Sequence, residues 1–196
     1  MIEELDSTAR ERPLERIESY WRRLAAVEGL PARRSIDPRG IDGALTHAFI
    51  LERQGRGAGR FRVAGQHVCA MAGTDVRGKS FRTLAESDAT ESIERHLERV
   101  FEAPMLVRVD YAVAGGTAAL LLLPLLDRDG CVSRALGGIA SDGAPGGRLL
   151  SEREVVRLEK FVPERFVMAP PSAQGFAEAA ATFRPDGRPN LRLVKS

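Results

Sequence analysis

The sequence predicts an α+β domain built on an antiparallel sheet, with flanking helices and an amphipathic helix at its N-terminal side. Apolar residues recur every three or four positions over residues 13–28, which is the period of a helix. Two strand-like segments within 46–65 flank a glycine-rich turn, and three more follow between 105 and 140 with joints of a few residues. Joints this short indicate antiparallel neighbours, because a parallel crossover needs a dozen residues or more.

Length and composition fit one domain of ordinary size. The chain has 196 residues, 43% of them hydrophobic, which is enough for a buried core. The net charge is only +2, so no strong attraction to nucleic acid is expected. We expect a charged segment over 1–12, a domain over 13–140 and a C-terminal extension over 141–196.

Several features predict a cytoplasmic protein that does not contact membranes. The opening residues are charged and lack the apolar stretch of a signal peptide. The longest apolar run, residues 118–126, is far short of a membrane span. Cys69 and Cys131 are too few for a disulfide framework and are expected to be free thiols in a reducing compartment.

The first helix has signals at both of its ends. Pro13 fits the first turn of a helix, and Gly29 followed by Pro31 predicts where the helix stops. Residues 31–40 then form a loop, and a short helix is expected to run to Leu45.

The later elements follow from pattern and from turn residues. Ser151–Glu154, "SERE", matches a helix capping box before an apolar stretch, and "NLRLV" near the end has the pattern of a last strand. The other predicted elements are a hairpin of strands at 46–53 and 60–65, a helix over 87–103, and strands over 105–113, 117–126 and 131–140.

The stretch "GTDVRGKS" (73–80) fits the phosphate-loop pattern G-x-x-x-x-G-K-[ST] letter for letter. The loop middle carries Asp75, whose carboxylate would face a phosphate. Such a loop also belongs in a parallel β-α-β sheet, whereas the C-terminal half predicts an antiparallel one. We therefore interpret Gly73 and Gly78 as turn glycines, and keep a P-loop nucleotide-binding enzyme that uses Gly73–Ser80 as an alternative.

The order of elements resembles that of a PAS domain. In the stretch 60–84, the residues Gly73, Gly78, Phe81 and Leu84 have the spacing of the PAS turn that leads from the second strand into short helices. "LPLLDRDG" (123–130) is similar to the PAS strand and turn before the last strand.

The opening of the chain carries a more specific resemblance. "IESYWRRLAAVEGLPARRSIDP" (17–38), with a Tyr-Trp helix followed by Pro, Arg and Asp-Pro, is similar to an alphaproteobacterial family of single-PAS proteins. The resemblance covers about residues 14–140. It implies a five-stranded antiparallel sheet with one face cupped by helices around a small cavity, where some members hold a ligand and others only contact proteins.

Flavin and haem, two cofactors of the PAS fold, are both judged unlikely here. Flavin photosensors carry a cysteine within an Asn-Cys-Arg run, and Cys69 stands in "HVCAMAG", which lacks those neighbours. Haem-binding members use a histidine on the longer helix. His96 is on that helix but at the edge of its apolar face, and we expect it to be partly exposed.

Neither a metal site nor a catalytic pair is predicted. His47 begins a strand and has no partner at metal-ligand spacing, while His67 is expected to be a residue at the start of a helix. No nucleophile stands beside a recognisable base.

Candidates for lining a ligand pocket come from alternating strand residues and the inward helix face. Tyr111 is the most informative, because a buried phenol needs a hydrogen-bond partner. The candidates are Phe61, Val63, Met71, Phe81, Leu84, Leu97, Val109, Tyr111, Leu121 and Leu123.

The N-terminal helix is expected to pack on the sheet or to pair with another subunit. In the PAS superfamily such a helix is often the dimer contact, so the resemblance implies a homodimer. The contact residues would be Leu14, Ile17, Trp21 and Leu24.

The sequence thus predicts a cytoplasmic PAS-like sensory or regulatory module that binds a small ligand or a signalling protein and has no catalytic activity of its own. Besides the P-loop enzyme, one further alternative is open: a pure protein-interaction module with a filled core.

Overall fold

The computed structural model describes residues 2–103, 105–142 and 150–160, with the backbone alone for 2–10 and 152–160. The helices are α1 (Ile2–Glu28), α2 (Gln66–Ala72) and α3 (Thr90–Glu102), with short 3-10 helices at Arg33–Ser35, Pro38–Ile41 and Phe81–Leu84. The strands are β1 (Ala48–Gly55), β2 (Ala58–Ala64), β3 (Met105–Val113), β4 (Gly116–Leu126), β5 (Val132–Ser141) and β6 (Ser151–Lys160).

The strands form one antiparallel sheet in the order β2-β1-β5-β4-β3-β6. The β1–β2 hairpin and the β3–β4–β5 meander are joined through the pairing of β1 with β5, in which Ala48 lies opposite Gly138. Strands β1 to β5 confirm the predicted five-stranded antiparallel sheet.

The sixth strand corrects the prediction of a helix after Ser151. Residues 151–160 are β6, which pairs with the outer edge of β3 and sets Leu158 opposite Val107. Val156 and Leu158 alternate with charged residues, which suits a strand, and the edge of β3 offers unpaired backbone groups. These tertiary partners outweigh the local capping-box pattern. The predicted strand at "NLRLV" lies outside the described residues.

The N-terminal helix is present and begins earlier than expected. Pro13 lies inside α1 rather than in its first turn, so the charged segment 2–12 is part of the same helix. Gly29, with a φ of 78°, follows the end of α1 as predicted. The short helix expected to run to Leu45 does not form, because residues 42–47 are turns, and the two 3-10 helices of 33–35 and 38–41 lie mainly in the expected loop.

The sheet separates two hydrophobic cores. One core lies between the sheet and the short helices with α3, and the other lies between the sheet and α1. Strand β4 serves both, because Leu120 and Leu122 face the α3 side while Leu121 and Leu123 face α1. The apolar run of β4 is therefore that of a strand covered on both faces.

Two glycines of β5 let both layers approach the sheet closely. A Cβ atom on Gly137 would overlap the ring of Phe49. On Gly138 it would lie 2.7 Å from Leu14 and 2.8 Å from Ile17, which are side chains of α1. The missing side chains leave room for Phe49 and α1.

The helices in the described part of the chain do not combine the length and the apolar character that crossing a bilayer requires.

Candidate functional site

The inward face of α3 carries polar as well as apolar side chains. Ile93, Leu97, Val100 and Phe101 are buried as their spacing predicts. Ser92 and His96, one helical turn apart, are also buried, each with 1% of its surface exposed. The expectation that His96 is partly exposed was wrong, because the covered face of α3 is wider than its apolar residues alone indicate.

Three of these core side chains form a hydrogen-bonded group, which we call the core polar cluster: Ser92, His96 and Tyr111. Ser92 Oγ lies 3.3 Å from His96 Nε2 and 3.2 Å from the hydroxyl oxygen of Tyr111. The rings of His96 and Tyr111 meet edge to face, with centroids 6.3 Å apart. Tyr111 on β3 is fully buried, so its hydroxyl has the partner that burial requires.

Most of the expected pocket residues lie in the core between the sheet and α3, which also holds Tyr111 of this cluster. Three phenylalanines, Phe49, Phe61 and Phe81, pack with ring centroids 5.3 to 5.6 Å apart on this side of the sheet. The candidates found in this core are Phe61, Met71, Phe81, Leu84, Leu97, Val109 and Tyr111.

Three of the expected pocket residues lie elsewhere. Val63 is 49% exposed, because β2 has an extra residue, Arg62, between the partners of Ile50 and Leu51, and this bulge breaks the alternation of β2. Leu121 and Leu123 belong to the core beneath α1. The sequence indicated that β4 is covered on both faces, but not which of its residues face which core.

The residues expected at a dimer contact are covered by their own sheet. Leu14, Ile17 and Trp21 are fully buried in the core beneath α1, and Leu24 is partly buried against it. The indole N–H of Trp21 donates to the carbonyl oxygen of Pro124 at 3.0 Å. Of the two arrangements considered for this helix, the structure shows the one on the sheet, and pairing with another subunit stays a prediction.

The phosphate-loop match is a closed turn between α2 and the 3-10 helix of 81–84. Gly73 and Gly78 have φ values of 67° and 78°, which L side chains rarely adopt. Lys79 Nζ donates to Thr74 Oγ1 at 2.8 Å. The loop residues whose backbone N–H groups donate to acceptors of the protein are Gly73, Thr74, Arg77, Gly78 and Lys79.

A phosphate cradle needs those N–H groups to point at the ligand, and it needs a strand before the loop. Here a helix comes before it, and the sheet is antiparallel. Asp75 is instead bound by its neighbour, since hydrogen bonds from the side chain and backbone of Arg77 lower the pKa of Asp75 to about 2. The turn interpretation therefore fits the geometry better than the P-loop alternative.

A pair of histidines lies beside the start of β1. The rings of His47 and His67 have centroids 4.3 Å apart, and His47 Nδ1 lies 3.1 Å from the carbonyl oxygen of Ile139. His67 stands in the first turn of α2, as expected. Burial lowers the pKa of His67 to about 4, and the charge of His47 adds to the lowering.

The two cysteines are free thiols in different settings. Cys69 lies on α2, partly buried against the α3-side core, with its Sγ 3.9 Å from Asp75 Oδ1. Cys131 is exposed in the turn between β4 and β5.

Five antiparallel strands in the order β2-β1-β5-β4-β3, with short helices and one longer helix over one face, define an α+β domain of the PAS type. The PAS domain model matches residues 9–140. The chain therefore belongs to the PAS domain family.

The chain is similar to part of one solved structure, a light-oxygen-voltage domain whose mechanism was studied with a flavin analogue. It is 23% identical with a TM-score of 0.38, and the match covers 54% of this chain and 83% of that one. The comparison with curated proteins gives no match.

Proposed function

We propose that this PAS domain is a cytoplasmic sensory or regulatory module whose input is a small molecule held against the core polar cluster. The observation that carries the proposal is the burial of Ser92, His96 and Tyr111 within an otherwise apolar core. Burying polar groups costs free energy unless hydrogen bonds compensate. A binding site gains from such groups, because they fix the orientation of a ligand in an apolar pocket.

The cluster defines the chemistry of the ligand. The Ser92 and Tyr111 hydroxyls can each donate or accept, and the neutral His96 ring does either according to its tautomer. The surroundings are aromatic and aliphatic, with Phe61, Phe81 and Leu97 on the same side of the sheet. We infer a mainly apolar molecule with one or two polar groups.

The output of the module is proposed to pass through α1. Strand β4 contacts the ligand-side core through Leu120 and Leu122 and the α1-side core through Leu121 and Leu123. Interiors are close-packed, so a shift of β4 on ligand binding would be felt by α1. A homodimer or a signalling protein that reads α1 stays a prediction, and no catalytic step is part of the proposal.

The test uses two matched tyrosine variants. Tyr111→Phe removes the hydroxyl beside Ser92, and Tyr20→Phe removes a hydroxyl on the other side of the sheet, which accepts from the Asp37 N–H at 2.7 Å. Each protein is purified without denaturation, and the small molecules released by solvent extraction are quantified per chain by mass spectrometry.

We expect one released compound in near-stoichiometric amount from the wild type and from Tyr20→Phe, and a reduction of about fivefold or more in Tyr111→Phe, since a lost hydrogen bond contributes about 1 kcal/mol. Absorbance spectra show whether that compound is a flavin or a haem. Equal release from both variants would contradict the assigned site. Release of nothing from all three proteins would favour the interaction module.

A further inference from the structure

A cavity lies at the end of the sheet where β4 turns into β5, and no residue of the core polar cluster lines it. It is a cleft of about 560 Å³, within the usual size range of small-molecule sites. We call it the arginine cleft, because four guanidinium groups and two carboxylates line it: Arg33, Arg34, Arg128, Arg134, Asp127 and Asp129.

Three of the four arginines are not engaged by any side chain or carbonyl that the structure describes: Arg33, Arg34 and Arg128. The fourth, Arg134, is held by Glu52 at 2.6 Å and donates to the carbonyl oxygen of Ser133 at 3.1 Å. The cleft thus offers three guanidinium groups without a partner among the described residues, beside Arg134, which Glu52 and Ser133 hold in place.

The neighbouring carboxylate of Asp127 accepts three hydrogen bonds from its own turn. It accepts from the N–H groups of Asp129 and Cys131, both at 2.9 Å, and from the Ser133 hydroxyl at 2.5 Å. These hydrogen bonds, led by that of Ser133, lower the pKa of Asp127. Asp127 therefore shapes the turn and stays ionised, so that Asp127 and exposed Asp129 offset two of the four positive charges that line the cleft.

Backbone pairing holds the two sides of the cleft together. The N–H of Leu126 donates to the carbonyl oxygen of Pro31 at 2.9 Å, and Ala32 bridges to Leu126 in parallel. The 3-10 helix that follows, Arg33–Ser35, therefore starts beside the β4–β5 turn that carries Arg128. The convergence of these arginines follows from fixed backbone contacts.

We propose that the arginine cleft binds a small molecule through a phosphate group. A guanidinium group donates two parallel hydrogen bonds to an oxyanion, and phosphate offers more acceptor oxygens and more charge than one carboxylate. The four arginines that line this concave site outnumber its two carboxylates, so its lining carries a net positive charge. The inference is independent of the ligand in the core, because the two sites share no lining residue.

The experiment follows the full chain by NMR while inorganic pyrophosphate is added at constant ionic strength, with citrate as a polycarboxylate probe. The cleft variant is Arg33→Gln/Arg34→Gln/Arg128→Gln. The matched control is Arg39→Gln/Arg60→Gln/Arg95→Gln, which removes the same charge at exposed positions outside the cleft. The amide signals of Ser92 and His96 report whether each variant keeps its core.

We expect saturable pyrophosphate shifts confined to residues 31–35 and 126–134, and an affinity that falls about tenfold or more in the cleft variant and less than about twofold in the control. Absence of saturation, equal losses in both variants, or shifts centred elsewhere would overturn the site. Citrate binding as tight as pyrophosphate would overturn the assignment to phosphate.

Discussion

The indole N–H of Trp21 on α1 donates to the carbonyl oxygen of Pro124 on β4 at 3.0 Å. A proline in an interior strand normally removes a hydrogen bond of the ladder. Here the pairing of β4 with β3 extends only to Leu122, opposite Val107, so Pro124 lies beyond it. Its carbonyl oxygen accepts the indole N–H of α1, so this hydrogen bond adds to the packing of Leu14 and Ile17 over Gly138 in joining the N-terminal helix to the sheet.

Replacement of Trp21 by phenylalanine should destabilise the fold. The variant loses the hydrogen bond to Pro124, leaves a buried carbonyl oxygen without that donor and removes part of a fully buried ring. We expect the free energy of unfolding in urea to fall by about 1–3 kcal/mol. Val27→Ala, at an 83% exposed position of the same helix, should change it by less than about 0.5 kcal/mol. Equal effects would contradict this account of α1.

An alanine at Gly138 should loosen the packing of α1 on the sheet. Its Cβ would lie 2.7 Å from a methyl carbon of Leu14 and 2.8 Å from one of Ile17. Overpacking of this kind costs about 1–3 kcal/mol, measurable by urea unfolding. Gly59→Ala in β2 is the matched control, since its Cβ would meet Leu97 at 3.4 Å. If Gly59→Ala lowered the free energy of unfolding as much as Gly138→Ala, the loss would come from replacing any strand glycine and not from the overlap with α1.

Acid should weaken the fold partly through His67. Its pKa in the folded protein is about 4, against an ordinary 6.5. Between these two pKa values His67 binds a proton in the unfolded chain but not in the folded protein. The free energy of unfolding should therefore decline as the pH falls from about 7 to about 4. NMR titration should place the His67 midpoint well below that of an ordinary histidine, and His67→Gln should show a smaller decline. A midpoint near 6.5 would contradict the burial argument.

Lys79→Ala should leave both stability and nucleotide response nearly unchanged. The contact of Lys79 Nζ with Thr74 is on the surface, and losses of surface contacts usually stay within about 0.5 kcal/mol. We expect no Mg-ATP-dependent shift of the melting temperature in either protein. A stabilisation by Mg-ATP that disappears in Lys79→Ala would restore the P-loop interpretation.

Strands β1 to β5 and their antiparallel pairing could be predicted from the sequence, because turns and hydrophobic periodicity are local signals. The joints that flank β4 showed antiparallel neighbours, and Gly29 marked the end of α1. The predictions that were wrong concern residues whose structure depends on tertiary partners. The β6 strand forms because β3 has an open edge, and Val63 is exposed because of the bulge at Arg62 in its own strand.

The candidate site was foreseen in part for the same reason. Tyr111 could be singled out from its chemistry, and most apolar neighbours from their spacing. Ser92 was missed, although its position four residues before His96 is the signal that could have found it. The arginine cleft joins residues about 100 positions apart, and no local pattern brings such residues together.

The central claim is that a small molecule contacts the core polar cluster, and the imidazole ¹⁵N signals of His96 test it most directly. They are recorded on natively purified protein and again after the ligand has been removed by unfolding and refolding. The account predicts that the His96 signals shift on removal while those of His47, outside the cluster, do not. Identical His96 signals before and after, with the compound shown to be gone, would contradict it.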